Sequence, residues 1–390
     1  MKILAVAHES EFNGGANRSF YTVLKILKEE YNADIDVVVP KKSGELVDAL
    51  NEIGIQTSHH AYKWDFSVYR NEWKDNIKQL YVYGINRYNI TLAKATAHQY
   101  LKKKYDIVYV NTRMSSYGAY LARELQLPMV CHVRELGNPQ AIWGTWTWDT
   151  LGKLSRKVIS ISTAMSLELK KKISSEKVVT VLNGIDCPIA KVPVYNWNKE
   201  KINLILTGRV VEAKGHFDAL EALVELRNRG IDNLVLHIVG SVSESANGIK
   251  YKHRLDQYIE ENNLCQSVVF HGEIKDMFSL RGEMAAELMC SLFEPFGRVT
   301  VEAMRCGLLV IGSNTGGTLD IIDDGKTGLL YEQGSGKSLA DKIEWAIRNP
   351  KQCEEIQKAG FEKSKNNFTK EKNAEEIYKV LQECIKTEEK

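Results

Sequence analysis

Short apolar runs alternate with longer amphipathic stretches along most of the chain, and this order predicts repeated β–α–β units. The runs are continuously apolar, which is typical of strands that are buried on both faces of a parallel sheet. The predicted strands are Ile3–Ala7, Ile35–Val39, Ile107–Asn111, Met129–Val133 and Lys157–Ile161 in the first half, and Ile202–Thr207, Leu234–Val239, Val268–His271, Leu288–Cys290 and Leu309–Gly312 in the second. Segments such as Arg18–Glu29 and Tyr117–Leu125 are predicted to be intervening helices. The pattern predicts an α/β protein with two doubly wound, Rossmann-like domains.

The length of 390 residues also favours two domains. Pro188, Pro193 and the polar run at 196–200 predict a linker between them. The expected division is a first domain at 1–187, a linker at 188–200, a second domain at 201–369 and a final helical segment at 370–390. Ligands of open α/β sheets bind at the carboxyl ends of the strands. Two such domains that face one another would therefore place a site in the cleft between them.

The composition restricts the class of protein and its compartment. Apolar residues make up 44% of the chain and the net charge is +2, so nucleic acid is not an expected partner. The cysteines number seven and include no C-x-x-C pair, which indicates reduced thiols and neither a disulfide framework nor a zinc site. The chain enters a predicted strand at Lys2, unlike a signal peptide, and no apolar run reaches membrane-spanning length. We therefore expect a cytoplasmic protein.

The segment 294–304 carries the most specific chemistry. Glu294 and Glu302 are separated by seven residues around a Pro-Phe-Gly turn, and Glu302 is expected to open a buried helix. Such a turn can direct backbone N–H groups at an anion, and a helix start adds the positive end of its dipole. The two carboxylates can accept hydrogen bonds from the hydroxyls of a ribose and of a sugar. Together these groups match what a nucleotide-sugar requires.

Several further motifs follow in a fixed order along the chain. They lie at 13–16 (Asn-Gly-Gly-Ala), 182–186 (Leu-Asn-Gly-Ile-Asp), 207–215 (with Gly208-Arg209 and Lys214-Gly215), 313–317 and 324–330. With the E-x7-E segment, they resemble the retaining glycosyltransferases of the GT-B fold, specifically the large family 4. The resemblance covers nearly the whole chain. It departs from the family pattern at 284–290, where the usual Ala-Asp and Pro-Ser around the strand are missing.

The resemblance implies roles for the residues that match the family motifs. Arg209 and Lys214 would neutralise the departing diphosphate, in place of the metal that other transferases use. Glu294 would contact the donor sugar, and His132, at the end of a predicted strand, would lie close to that sugar. These four residues are the expected catalytic group. No cofactor and no metal are expected, because the nucleotide-sugar is a substrate.

The same resemblance implies a set of donor contacts. Glu302 would bind the ribose, while the turn and helix start would offer backbone donors, and the glycine loop would approach the diphosphate. The base pocket would lie after two later strands and leaves the base open. The expected donor-binding residues are Glu302, Gly14, Gly15, Phe296, Gly297, Arg298, Val299, Thr300, Ile274 and Gly240.

The acceptor side is predicted less directly. Arg134, Glu135 and His8 are candidates, because each follows a predicted strand of the first domain. Residues 63–105 hold nine Lys or Arg against three Asp or Glu, with aromatic residues between them, and a second aromatic cluster comprises Trp143, Trp146 and Trp148. This mixture suits contact with an anionic membrane at its inner face, and hence a lipid-linked acceptor. A solvated helix face over an ordinary core is the alternative.

The sequence also offers a false lead. Residues 334–338 (Gly-Ser-Gly-Lys-Ser) resemble the end of a P-loop, but Tyr331 stands where the first glycine of that motif belongs. The phosphate cradle is therefore absent, and ATP binding is not expected.

The function expected from this combination is transfer of a hexose from a nucleoside-diphosphate sugar, with UDP as the favoured nucleotide, to a saccharide or lipid-linked hydroxyl. The setting would be bacterial surface polysaccharide or glycolipid assembly. A nucleotide-sugar epimerase of the same architecture, a non-catalytic partner of another transferase and a nicotinamide dehydrogenase remain as alternatives. The missing G-x-G-x-x-G after the first strand disfavours the last.

Overall fold

The computed structural model of the protein describes residues 1–12, 15–68, 75–135, 141–190, 197 and 199–386. The chain divides into two compact units: unit 1 comprises Met1–Gly184 and Lys370–Lys390, and unit 2 comprises Ile185–Thr369. Unit 2 therefore begins three residues before 188. Ile185 already belongs to it, since its amide donates to the carbonyl of Phe368 at 2.9 Å. Trp197, within the expected linker, is buried in the core of unit 2, while 191–196 and 198 lie outside the described residues.

Unit 1 is built on a parallel sheet of seven strands within the described residues, in the order β3-β2-β1-β5-β6-β8-β9. A separate antiparallel pair joins β4 to β7. The strands are β1 (Lys2–Val6), β2 (Asp34–Val39), β3 (Gln56–His59), β4 (Ser67–Val68), β5 (Ile107–Asn111), β6 (Met129–Val133), β7 (Ala141–Ile142), β8 (Lys157–Ser160) and β9 (Val178–Thr180). The helices of this unit are α1 (Gly15–Glu29), α2 (Glu45–Glu52), α3 (Asp75–Thr96), α4 (Tyr117–Leu125), α5 (Trp148–Leu154), α6 (Thr163–Lys170) and, from the end of the chain, α14 (Lys370–Lys386).

Unit 2 repeats the plan with a parallel sheet in the order β12-β11-β10-β13-β14-β15. Its strands are β10 (Ile202–Thr207), β11 (Leu234–Val239), β12 (Val268–Gly272), β13 (Ala286–Met289), β14 (Leu309–Ser313) and β15 (Leu329–Tyr331). Its helices are α7 (His216–Asn228), α8 (Ala246–Glu261), α9 (Met277–Arg281), α10 (Arg298–Arg305), α11 (Thr318–Ile321), α12 (Gly336–Arg348) and α13 (Pro350–Asn367). Short 3₁₀ turns at Ala97–Gln99, Leu101–Lys103, Ser175–Lys177 and Glu212–Lys214 complete the two units.

Each sheet is buried between helices, and this explains the continuous apolar runs in the sequence. In unit 1, the strands and the inner faces of α1 and α2 share one core. Helix α14 contributes Ile377 and Leu381 to the same core, and its Asn373 donates to the carbonyl of Leu182 at 2.7 Å. The second sheet packs in the same way against α7, α8 and α12. The prediction of an α/β fold with two doubly wound domains is confirmed.

The order of strands reverses once in each sheet, between β1 and β5 in unit 1 and between β10 and β13 in unit 2. At such a point the loops that follow the two strands separate and leave a crevice, which is where α/β sheets bind ligands. Many of the predicted site residues follow these strands, and the others lie on or after β6, β11 and β12. No helix in the described part of the chain combines the length and the apolar character that crossing a bilayer demands.

The second aromatic cluster has a structural role that the sequence did not indicate. Trp146 is buried, and its indole donates to the carbonyl of Arg113 at 2.8 Å. The Arg113 guanidinium lies 3.8 Å from the ring centre of Trp143 and 3.7 Å from that of Trp148. These tryptophans therefore enclose a buried cation, and the expectation that the cluster contributes to a membrane surface is wrong for Trp146.

Candidate functional site

The loops after β10 and β13 meet at the reversal point of the second sheet. The amide of Leu292 donates to the carbonyl of Ala213 at 3.0 Å and so joins the two loops. Gly215 makes this approach possible: its φ is 64°, and a Cβ there would lie 1.9 Å from the carbonyl oxygen of Cys290. The contact fixes Lys214, the residue before this glycine, beside the loop that carries Glu294.

Lys214 and Glu294 contact each other directly. Lys214 Nζ donates to Glu294 Oε2 at 2.7 Å, and Ser291 Oγ donates to the same oxygen at 3.1 Å. Both side chains are partly exposed. Arg209, in the loop after β10, is exposed and makes no ion pair within the described residues. The crevice thus presents one accessible cation and one lysine–carboxylate pair.

The turn that begins the next helix is anchored by packing. Phe296 is buried and meets Phe368 edge-on, with ring centres 5.9 Å apart. Gly297, with φ 100°, caps α10, so Arg298, Val299 and Thr300 form the first turn of the helix. The helix begins four residues before Glu302. The expectation that Glu302 opens it is therefore wrong, because Gly297 already provides the left-handed residue that precedes the first turn.

Glu302 is held by two arginines, of which the sequence indicated one. Arg281, at the end of α9, donates through Nη1 to Glu302 Oε2 at 3.4 Å, and Arg298 lies 3.8 Å from the other oxygen. Arg281 is buried and also donates through Nε to Glu287 Oε2 at 3.0 Å. Glu287, fully buried on β13, accepts a further bond from the Thr207 amide at 3.0 Å. Nothing in the local sequence around Arg281 marks this role.

The two residues expected to line the base pocket lie on neighbouring loops. Gly240 directly follows β11 with φ 150°, and a Cβ there would lie 2.0 Å from the carbonyl oxygen of Gly208. This glycine therefore lets the loop after β11 approach the loop that carries Arg209. Ile274 follows β12 and is half-buried. Their contact with a base stays a prediction.

The reversal point of unit 1 collects the acceptor-side candidates into one network. Asn111 lies at the end of β5, and its side-chain nitrogen is 3.3 Å from His8 Nδ1. Its side-chain oxygen accepts a hydrogen bond from Arg134 Nε at 2.8 Å. Arg134 also donates to Asn183 Oδ1 at 3.0 Å, which gives the Leu-Asn-Gly-Ile-Asp motif a positioning role. Gly15 begins α1, whereas Gly14 lies outside the described residues.

His132 lies within the sheet and is fully buried. Its Nδ1 is 2.7 Å from the Tyr109 hydroxyl and 3.4 Å from Arg134. Burial, with Arg134 nearby, holds the pKa of His132 well below its usual range, and the same causes lower the pKa of His8 to about 4. Both imidazoles are therefore neutral near pH 7. A catalytic role of His132 stays a prediction.

Glu135 follows the same strand and has the opposite shift. Burial raises the pKa of its carboxyl group to about 7, although Arg134 and Arg113 both act to lower it. It is thus the acceptor-side candidate whose charge changes near physiological pH.

The P-loop-like segment is used to start a helix. Ser335 caps α12 by accepting from the Ser338 amide at 3.1 Å, and the Ser338 hydroxyl accepts from the Glu332 amide at 3.0 Å. Both hydroxyl groups of the motif are therefore engaged in local structure.

Two doubly wound α/β units, with the site residues at the reversal points of their sheets, define the GT-B class of fold. The family model described as "Glycosyl transferases group 1" matches residues 190–363, and that described as "Glycosyltransferase Family 4" matches residues 13–188. Together they account for nearly the whole chain. The protein belongs to this glycosyltransferase family.

Individual relatives are distant. The capsular polysaccharide biosynthesis glycosyltransferase CapM of Staphylococcus aureus is 28% identical over 244 residues, which cover 58% of this chain and 62% of CapM. The match therefore spans less than two thirds of that relative. Among solved structures, Anabaena HepE in complex with UDP matches with a TM-score of 0.77 and 20% identity, over 98% of this chain and 100% of that one. A Rickettsia africae glycosyltransferase matches with a TM-score of 0.77 and 22% identity, over 99% and 98%.

Proposed function

We propose that the protein transfers a hexose from a nucleoside-diphosphate sugar to a hydroxyl of a saccharide or lipid-linked acceptor, with UDP as the nucleotide. We further propose that it retains the anomeric configuration and needs no metal ion. The observation that carries the proposal is the pairing of Lys214 with Glu294, beside the exposed Arg209, at the reversal point of the second sheet.

The chemistry follows from what each group can stabilise. As the bond from the anomeric carbon to the diphosphate oxygen breaks, negative charge grows on that oxygen. Lys214 and Arg209 would stabilise this charge by charge-assisted hydrogen bonds, which are strongest where it develops. The first turn of α10 adds backbone N–H groups and its dipole. The acceptor oxygen would bond to the anomeric carbon on the departing face, and its proton would pass to the released diphosphate.

Glu294 and Glu302 would orient the donor and do not form a catalytic acid–base couple. Each carboxylate is already held by cations, and each accepts hydrogen bonds, as ribose and sugar hydroxyls require. Arg281 and Arg298 hold Glu302. These two contacts fix the Glu302 carboxylate in place and leave its oxygens able to accept hydrogen bonds from hydroxyl groups.

The relatives support the donor and the setting. HepE has been solved with UDP-glucose and with UDP and glucose, and CapM is named for capsular polysaccharide biosynthesis. These properties belong to those proteins. They make UDP-sugars the first donors to test and surface polysaccharide assembly the first setting to examine.

Binding is tested by thermal shift with UDP, GDP, dTDP, ADP and NAD. A ligand at 100 times its dissociation constant stabilises the folded state by about 2.7 kcal/mol, which raises the melting temperature visibly. We expect a selective shift with UDP. A shift with NAD alone, or the absence of a shift with every diphosphate, would contradict the proposal. Conversion of a UDP-sugar without any acceptor would indicate an epimerase.

Turnover is tested with Lys214→Ala. We expect kcat to fall by about 10²–10³-fold, the range for loss of one preorganised group that stabilises developing charge. Lys337→Ala is the matched control, because this exposed lysine lies in the P-loop-like segment and should leave kcat unchanged. Near-normal turnover of Lys214→Ala would refute the proposed mechanism. Metal independence is tested by adding EDTA, and we expect activity to survive. Retention is tested by determining the anomeric configuration of the product, which should match that of the donor.

We also propose peripheral contact with an anionic membrane through the described part of 63–105. Ile77, Leu80 and Tyr81 on α3 are each more than half exposed, and the surrounding sequence is basic. Residues 69–74 lie outside the described residues. Co-sedimentation with phosphatidylglycerol vesicles should weaken in Leu80→Glu but not in Leu167→Glu, an exposed leucine of unit 1 outside this segment. Equal binding by all three proteins would refute the contact.

A further inference from the structure

A cavity of about 490 Å³ in unit 1 has no role in the donor chemistry. It lies at the carboxyl ends of β1 and β2 and is bordered by α3. Its lining includes His8, Glu11, Lys41, Trp64, Phe66 and Tyr81. Its volume falls within the range of pockets that bind small molecules. Because His8 also contacts Asn111 in the network with Arg134, the cavity adjoins the residues expected on the acceptor side.

One wall of the cavity is aromatic and fixed in orientation. The ring of Trp64 is nearly parallel to those of His8 and Phe66, with ring centres 6.2 and 5.8 Å apart, and Phe66 stacks in turn on Trp143 at 5.0 Å. The indole donates to the carbonyl of His8 at 2.9 Å. Rings at these separations are offset, and Trp64 remains 38% exposed. The wall therefore presents a preorganised apolar surface.

Beside the apolar Pro40, Tyr62 and Ile85, the rest of the lining carries polar groups, and these favour a particular occupant. The Glu11 carboxylate is held by the Glu45 amide at 3.0 Å, and the Ser10 hydroxyl accepts from the Lys41 amide at 3.1 Å. A hydrocarbon chain would desolvate these groups without compensation. A sugar ring has both surfaces that the cavity needs: a face of C–H groups for the aromatic wall and hydroxyls for the carboxylate, the hydroxyl and the lysine.

We propose that this cavity binds one sugar ring of the acceptor against Trp64, and that it determines which acceptor is used. That the bound sugar belongs to the acceptor rests on the proposed function, whereas binding of a sugar by the cavity does not. The partially exposed indole supplies the apolar contact, and the neutral His8 and the Glu11 carboxylate select the pattern of hydroxyls. Tyr81, on α3, lines the same cavity and would also contact the sugar.

The test uses saturation-transfer NMR on the full chain with four probes, the methyl α-glycosides of glucose, galactose, mannose and N-acetylglucosamine. We expect at least one to bind, with the strongest transfer to the C–H protons of one ring face. Trp64→Ala should weaken that binding by about tenfold, as expected for loss of one well-oriented aromatic contact. Trp64→Phe, which keeps a ring, should recover most of it.

Two further variants keep the result interpretable. Tyr81→Ala removes a side chain that is 60% exposed, so it should weaken glycoside binding several-fold while the melting temperature is unchanged. Lys214→Ala should bind the glycosides as well as the parent chain does. The thermal shift with UDP should in turn be the same in Trp64→Ala as in the parent.

Each outcome decides between the two proposals. Glycoside binding that depends on Trp64, without a shift by UDP or any other nucleoside diphosphate, would uphold the cavity and reject the proposed donor chemistry. A UDP shift without binding of any glycoside, or with binding that Trp64→Ala and Tyr81→Ala leave intact, would overturn the cavity and leave the transferase standing.

Discussion

The arginine that the sequence did not reveal, Arg281, offers a sharp test of the structure. It is buried between Glu287, which is fully buried, and Glu302, which reaches the crevice. Removing it by Arg281→Met keeps much of the side-chain volume but leaves the Glu287 carboxylate without its cation. Loss of one partner from a buried ion pair costs about 3–5 kcal/mol, because the remaining charge stays desolvated. We expect a loss of this size in the free energy of unfolding of unit 2.

A second substitution separates the effect of the unpaired Glu287 charge from other causes of the lost stability. Glu287→Gln removes the charge but retains an amide oxygen that can accept from the Thr207 amide, now bonded at 3.0 Å. Arg281→Met with Glu287→Gln should therefore be about 1–3 kcal/mol more stable than Arg281→Met alone, which is the usual cost of a buried polar group left without its partner. A double variant that is no more stable than the single one would refute the reasoning.

The control is an arginine that has one more acidic partner than Arg281 but is more exposed to solvent. Arg229 pairs with Glu225, Asp341 and Glu344 at 2.7–2.8 Å, yet its side chain is 22% exposed. Exposed pairs contribute about 0–1 kcal/mol each, so Arg229→Met should cost much less than Arg281→Met. Native-state hydrogen exchange of the β10 and β13 amides is the assay, because it reports on unit 2 alone.

Donor affinity gives an independent readout of the same variants. Arg281 is one of two arginines on Glu302, so its loss should raise KM for the UDP-sugar. Glu287→Gln restores stability but cannot restore this contact. We expect the double variant to regain stability while its KM stays high. Recovery of both together would mean that Arg281 acts only through stability.

Two further predictions test other contacts. Gly317→Ala should destabilise unit 2 and lower turnover, because its Cβ would lie 2.5 Å from Cα of Phe296 in the turn before α10. Gly84→Ala should instead stabilise unit 1 by about 0.5–1 kcal/mol, because Gly84 is in a helix and a Cβ there would have nothing within 4 Å. Thermal denaturation checks both, and an unperturbed Gly317→Ala would contradict the close packing. Glu135→Gln should raise the unfolding free energy above pH 7 by at most about 3 kcal/mol and by progressively less toward pH 4.5. The sign follows because a carboxyl whose pKa is raised to about 7 on folding stabilises the protein at low pH and loses that contribution as pH rises; a pH-independent difference would refute it.

The parts of the fold that the sequence predicted are those with local signals. Continuous apolar runs indicated most strands of both sheets, since a strand covered on both faces has no polar side to interrupt it. The strands β3, β9 and β15 were not predicted. All three lie at the edges of the sheets, and β3 and β9 contain polar or half-buried residues.

The site shows the same limit more clearly. Lys214 and Glu294 are 80 positions apart, yet both were predicted, because each belongs to a local motif, in the loop after a strand, that resembles the motifs of the family. Arg281 was not predicted, since it is placed by α9 and reaches Glu287 and Glu302 only in three dimensions. Trp64 was noted only as one aromatic residue among basic ones. Its fixed orientation depends on the carbonyl of His8, which no pattern in the sequence reports.

Lys214 and Glu294, both predicted to contact the donor, pair with each other, and this pairing is consistent with the proposed chemistry. Lys214 and Glu294 are both partly exposed, and such a pair contributes only about 0–1 kcal/mol. A diphosphate, with more charge than a carboxylate, can therefore recruit Lys214 at little cost. Ser291 keeps its hydrogen bond to the same Glu294 oxygen, so the carboxylate would stay in place when the lysine turns. The ion pair thus keeps Lys214 and Glu294 in position before the donor binds. Because the pair is weak, Lys214 can then leave it for the diphosphate.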